Sequence, residues 1–147
     1  MEMTRTKNAA LKGIKTGIKQ IASKVFKIDI EGMKLKQLSR FSYDEMWNKI
    51  LSIPVTSNKQ IPGAFVDWDN TARKQNRGYV IEGSNPEKFK KYMSLQIKNA
   101  KKNYKKDYIF IFAWNEWAES GYLEPDEKFG YGYLEALKQA LIENGEF

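Results

Sequence analysis

Residues 107–114, DYIFIFAW, are apolar at nearly every position. A strand that buries only one face alternates apolar and polar residues. A continuous apolar run needs cover on both faces, as a parallel sheet has when helices flank it. This segment therefore constrains the fold more than any other. What surrounds it agrees. Ser84-Asn85-Pro86-Glu87 reads as a helix start, with Ser84 and Glu87 at capping-box spacing and a proline tolerated in the first turn. The helix that follows is expected to run to about Lys102 and to bury Phe89, Met93, Ile97 and Ala100. Upstream, residues 61–68, IPGAFVDW, read as a short strand (Ala64 to Trp68) that opens from a Pro-Gly turn and ends in a polar loop. Residues 79–82, YVIE, read as a short extended piece. Downstream, residues 129–143 read as a last helix with Leu134, Leu137 and Leu141 aligned, stopped at Asn144-Gly145. From residue 61 the order is strand, helix, strand, helix. That order predicts an α/β fold with a parallel sheet.

Two further segments precede this unit. Residues 43–52, YDEMWNKILS, read as a short helix with Met46, Trp47, Ile50 and Leu51 on one face, ended by Pro54. Residues 30–42 read as a polar connection. Residues 7–27 read as a basic amphipathic helix: Leu11, Ile14, Ile18, Ile21 and Val25 form one stripe, and Lys12, Lys15, Lys19 and Lys24 cover the other faces. Such a helix either lies on an anionic membrane surface or packs on its own protein with its lysines in water.

Charge is divided unevenly. Residues 1–40 hold ten Lys/Arg against three Asp/Glu, and residues 41–147 hold fifteen of each. The net charge of +7 thus belongs to the N-terminal arm. A nucleic-acid partner is not expected, since no groove-reading motif accompanies the charge. No apolar run approaches the roughly 18 residues of a membrane span. The basic N-terminus lacks the continuous apolar stretch of a signal peptide. There is no cysteine and no histidine. Disulfides and thiolate chemistry are excluded, and proton transfer falls to carboxylates, tyrosine or lysine. A zinc site would need an all-carboxylate shell, so neither a metal nor another cofactor is expected. The lack of cysteine fits a reducing cytoplasm.

In parallel α/β folds the working residues lie beyond the C-terminal ends of strands. Strand 107–114 leads into Asn115, Glu116, Trp117, Ala118 and Glu119, then Ser120-Gly121-Tyr122-Leu123-Glu124-Pro125-Asp126-Glu127. Five carboxylates fall within twelve residues, beside two tryptophans. Glu116 and Glu119 would point to opposite faces of a regular strand. If the chain turns directly after Trp114, they can converge on one pocket. A carboxylate pair is the equipment of glycosidic-bond chemistry, and tryptophan rings stack on sugars and desolvate nearby acids. The other reading is a solvent-facing acidic turn with its tryptophans in the core, and the pattern alone leaves both open.

The stretch 112–141, FAWNEWAESGYLEPDEKFGYGYLEALKQAL, resembles the C-terminal signature of the WbsX-type family. Residues 63–89, GAFVDWDNTARKQNRGYVIEGSNPEKF, resemble that family's preceding characteristic stretch, and FSYDEMWNKI the one before it. The resemblance implies a glycosyltransferase of bacterial surface-polysaccharide synthesis, related to glycoside hydrolase family 99 and its (β/α)8 barrel. It implies Glu116 as the base that deprotonates a sugar 2-hydroxyl, and Glu119 as general acid/base on the leaving or incoming oxygen. Trp114, Asn115, Trp117 and Glu124 would shape the saccharide site, with Asp67, Trp68, Asp69 and Asn70 lining it from the earlier strand. Arg73 and Arg77 are either a grip for the phosphate of a nucleotide- or lipid-linked sugar or ordinary loop charges.

Two departures stand out. Ser120 occupies a position where family members usually carry glycine. Family members are also much longer, so the chain is expected to supply the C-terminal βα units of an incomplete barrel (residues 41–147) behind a basic arm (residues 1–40). The alternative function is a non-catalytic interaction or membrane-surface fragment that completes or regulates another barrel chain. The protein is expected in the cytoplasm, with the inner membrane face as a further location through residues 7–27.

Overall fold

The computed structural model describes residues 38–147. The basic helix expected over residues 7–27 lies outside them. Most of the 30–42 connection does too, but its last four residues are not a connection. Ser39–Ser42 form strand β1. The sequence SRFS has no apolar alternation, so its pairing is long-range and invisible locally. β1 runs parallel to β3, Tyr79–Glu82, with Ser39 opposite Tyr79 and Ser42 opposite Glu82. Arg40 and Glu82 form an ion pair across the two strands.

Helix α1, Tyr43–Leu51, follows β1 directly. Ser42 caps it by accepting a hydrogen bond from the Glu45 N–H, and Asp44 and Glu45 sit in the favoured acidic first turn. Its Trp47 ring is fully buried, stacked between Phe65 (5.2 Å) and Tyr92 (5.5 Å). Tyr43 joins them in edge-to-face contacts. Much of the chain's aromatic content is therefore core.

Strand β2, Gly63–Phe65, runs parallel to β4, Phe110–Phe112. Between them come a short helix α2, Thr71–Lys74, a 3-10 turn, Gln75–Arg77, then β3 and the long helix α3, Pro86–Asn99. A wider π turn, Ala100–Tyr104, extends α3, and Lys105 in the left-handed region ends it. The cap of α3 is Asn85, one residue later than the capping-box spacing suggests. Pro86 disfavours the helical conformation in the residue before it, so Asn85 is held extended (φ −161°) and its side chain accepts from the Lys88 N–H at 2.8 Å. The buried stripe of α3 is as expected: Phe89, Met93, Ile97 and Ala100 are all in the core. Gln96 joins them, its amide nitrogen donating to the Gly63 carbonyl at 2.7 Å. That bond ties α3 to β2.

The last helix, α4, Gly132–Glu143, packs along α3. Contacts follow the same order along both: Pro86 against Gly132 near the starts, and Ser94 bonded to Asn144 further on (2.8 Å). The two helices thus run roughly parallel, as successive helices of βα units do. The buried residues of α4 are Tyr133, Ala136 and Ala140, while Leu134, Leu137 and Leu141 are half-buried at the margins. Two alanines let the backbones approach closely, which rotates the leucines off the contact line.

β4 is shorter and more open than its sequence suggests. Pairing extends only over Phe110–Phe112, and Phe110 is 47 % exposed. Among the described strands β4 has one neighbour, β2, so cover is missing where a second would lie. The described residues form a mixed α/β unit with two small parallel sheets and one antiparallel pair. No closed barrel is present among them.

Candidate active site

The chain leaves β4 through a cis peptide between Phe112 and Ala113 and turns at once. Asn115–Glu116 form a two-residue strand, β5, antiparallel to β6, Gly121–Tyr122. Trp117–Glu119 make a 3-10 turn between them. The hairpin is pinned to the sheet by the Ala113 N–H, which donates to the Gly121 carbonyl at 3.1 Å. It is pinned again at the Phe112 ring, which lies where a side chain on Gly121 would have to go. Ser120 closes the turn with φ 56° and ψ 16°. This left-handed conformation favours glycine, the residue that the family resemblance implies at this position.

The turn sets two tryptophans in solvent. Trp114 is 56 % exposed and Trp117 50 %. The alternative that buries these rings in the core is thereby excluded for the described unit. Trp117 stacks on Tyr122 (3.8 Å between centroids, 15° between planes), and its indole N–H donates to Glu124 at 2.6 Å. Asn115 is exposed and Glu116 half-buried on β5.

Glu119 takes the opposite course. It is buried (8 % exposed) and ion-paired with Arg73 of α2. The guanidinium offsets the cost of burying the carboxylate charge. The Asp69 N–H donates to the Glu119 carbonyl at 2.9 Å, which joins the loop after β2 to the turn after β4. Asp69 is itself ordered by Thr71, whose N–H and hydroxyl both donate to its Oδ1 (2.8 and 2.6 Å). Asn70 is buried, with its Oδ1 accepting from the Tyr79 N–H at 2.8 Å. Trp68 is half-buried with its ring 5.4 Å from Phe112. Asp69, Asn70 and Trp68 thus build the wall under the turn. Arg77 is exposed on the Gln75–Arg77 turn.

Beside the turn lies a shallow groove of about 710 Å³, walled by Trp117, Tyr122, Asp126 and Tyr131. A smaller polar well of about 160 Å³ shares Tyr122, Asp126 and Lys128 with it and reaches Asp67, Ser120 and Tyr133. Burial pushes the Asp67 carboxyl above the usual carboxylate range, against its bond from the Trp68 N–H. Tyr122 donates to Asp126 Oδ2 at 3.0 Å, and desolvation with that carboxylate pushes its hydroxyl up to about 12. Tyr122, Lys128, Tyr131 and Tyr133 are residues that sequence reasoning did not single out. The one available signal was the density of tyrosines in FGYGY behind an acidic turn. Among the described residues, no cluster of three or more carboxylates could hold a metal.

The WbsX glycosyltransferase family model matches residues 1–137. The chain belongs to this family. Two curated relatives, both named WxcX and both described as uncharacterized, come from strains of Xanthomonas campestris pv. campestris. One, from strain B100, is 31 % identical over 103 residues, which is 69 % of this chain and 15 % of the relative. The other, from strain ATCC 33913, is 33 % identical over 90 residues, 60 % of this chain and 13 % of the relative. The chain therefore spans about one seventh of the length of the curated relatives it matches. No solved structure matches it significantly.

Proposed function

We propose that the turn after β4 is one wall of a sugar-transferring active site that works in bacterial surface-polysaccharide synthesis. Membership in the WbsX glycosyltransferase family supports the reaction class. The observation that carries the site is the arrangement beyond the C-terminal end of a parallel strand: a buried, ion-paired Glu119 in a segment that also exposes two tryptophans. Carboxylates at strand ends are where α/β folds place their chemistry, and exposed indoles are stacking faces for pyranose rings.

In this reading the βα units belong to a (β/α)8 barrel. Glu116 is the base that removes the proton of a sugar 2-hydroxyl and so assists displacement at the anomeric carbon. Glu119 is the general acid/base that gives a proton to the leaving oxygen or takes one from the incoming hydroxyl. Arg73 holds Glu119 in place, and the phosphate of a nucleotide- or lipid-linked donor competes for the same guanidinium. Trp114, Asn115, Trp117 and Glu124 orient the saccharide. The work is placed in the cytoplasm, at the inner membrane face where lipid-linked sugars are exposed.

The test is made in the native host, where the donor need not be known. Chromosomal Glu116→Gln and Glu119→Gln should each abolish or truncate the surface polysaccharide resolved on a gel. Glu135→Gln, on the exposed side of α4, should leave it unchanged. A normal polysaccharide from both site variants would overturn the assignment.

A further inference from the structure

The polar well that adjoins the aromatic groove contains one hydroxyl that the fold itself leaves unpaired. Tyr133 is 7 % exposed, its hydroxyl is buried, and that hydroxyl has no hydrogen-bond partner. The Ser84 side chain is close enough to interact with it, but not in hydrogen-bonding geometry. A buried hydroxyl left unpaired costs about 1–3 kcal/mol, so such a group normally has a partner supplied from elsewhere. Tyr133 lines the well together with Asp67, Asp126 and Lys128. Asp126 is held rigidly: the Phe129 N–H donates to its Oδ1 at 2.5 Å and the Tyr122 hydroxyl to its Oδ2. Gly130, with φ 55°, turns the chain back behind it.

We propose that this well is a binding subsite for the hydroxyl edge of one neutral pyranose. The proposal rests on the sugar-transfer reading above and specifies which sugars it admits. Three considerations select the ligand. The well has the volume of about five waters at ~30 Å³ each, too little for a lipid tail but enough for the hydroxyls of one ring. Its groups are mixed: carboxylates accept, while the Tyr133 hydroxyl and Lys128 donate. A sugar hydroxyl does both at once, so neighbouring hydroxyls can satisfy the two kinds together. An anion would meet Asp67 and Asp126, and the single lysine does not outweigh two carboxylates. The well shares Tyr122, Asp126 and Lys128 with the groove that Trp117 lines, so a ring seated by its hydroxyls would lie next to that aromatic wall. Uronic acids and phosphates are excluded from this position. The phosphate of a charged donor would lie elsewhere, on the Arg73 side.

The experiment is an NMR titration of the ¹⁵N-labelled full chain with four probes: mannose, galactose, glucuronate and inorganic phosphate. At least one neutral hexose is expected to shift the amides of Ser120, Phe129 and Tyr133 and the indole of Trp117. Glucuronate and phosphate are expected to leave those signals in place. Tyr133→Phe should weaken the hexose about tenfold, as loss of one buried hydrogen bond does. Its melting temperature should be equal or higher, because an orphan hydroxyl is removed; a merely structural tyrosine would not show this combination. Asp126→Asn is the second variant and should also weaken binding. The proposal is overturned if Tyr133→Phe and Asp126→Asn bind hexose as the wild type does. It is equally overturned if no neutral hexose shifts these signals, or if phosphate or glucuronate shifts them instead. The catalytic reading is judged separately, by the polysaccharide made by Glu116 and Glu119 variants. Its failure would leave a sugar-binding well, and failure of the well would leave that chemistry standing.

Discussion

The position of the candidate site depends on one contact that can be tested with a single methyl group. Gly121 faces the ring of Phe112. A methyl group there would sit 2.3 Å from Phe112 Cε1 and 2.7 Å from Cδ1. Carbon atoms in contact prefer about 3.5–4.0 Å, so two atoms would overlap by about an ångström. Phe112 has little room to retreat, since it is buried and packs on Trp68. Overpacking of this kind costs about 1–3 kcal/mol, and a rigid ring places it near the top of that range. The backbone at Gly121 needs no glycine-only conformation, so Gly121→Ala recovers about 0.5–1 kcal/mol through the unfolded chain. The net cost is then about 2 kcal/mol. For a unit of this size that lowers the melting temperature by about 8–15 °C. Circular dichroism on the full chain measures it. Phe112→Leu costs stability alone through lost packing, yet should relieve Gly121→Ala, so the double variant should be more stable than the two separate costs imply by at least ~1 kcal/mol. A melting temperature for Gly121→Ala within about 2 °C of wild type would refute the reasoning, because the hairpin would not then be seated on Phe112.

Three further outcomes are expected. Ser120→Gly should stabilise the protein by about 0.5–1 kcal/mol in urea denaturation, since φ 56° is strained for serine; a loss of stability would contradict that geometry. Arg73→Ala strips a buried Glu119 of its counter-charge. A fully buried pair would cost about 3–5 kcal/mol, but Arg73 is more than half exposed, so about 1–2 kcal/mol is expected, largely recovered by adding Glu119→Gln; a neutral single variant would argue against the pair. For Asp67, burial raises the folded pKa above the unfolded one. The native state then holds its proton to higher pH than the unfolded chain, so stability is greatest below the ordinary aspartate value and falls as pH rises through the folded value. Asp67→Asn should therefore be more stable than wild type at neutral pH, with the difference shrinking on acidification; a pH-independent difference would refute it.

The sequence made the βα alternation legible because it rests on local signals. The stripe Phe89–Met93–Ile97–Ala100 and the stop at Asn144-Gly145 are readable from spacing and turn chemistry alone. Long-range effects were not readable. Nothing in SRFS announces that it pairs with YVIE forty residues later, and DYIFIFAW does not show how many neighbours its strand has. The cap moved from Ser84 to Asn85 because proline acts on the residue before it, and that rule outweighs the Ser-x-x-Glu spacing. In the site, WNEWAE showed where chemistry-bearing residues concentrate. It could not show that Trp114 and Trp117 face solvent, that Glu119 turns inward to Arg73, or that Tyr133 is orphaned over a well, since each depends on residues far apart in sequence. Ser120 is the instructive middle case. Its departure from the glycine that the resemblance implies was visible, and the left-handed turn that gives the departure meaning was not.

The central claim is that Glu116 and Glu119 carry proton transfer in a sugar-transfer step. The most direct measurement is a single-turnover assay of labelled sugar transfer by the purified protein, followed by mass spectrometry. Glu116→Gln and Glu119→Gln should each slow the step by about 10²–10⁴-fold, the range that a positioned acid or base contributes, with sugar binding retained. Transfer at the wild-type rate in both variants would contradict the account.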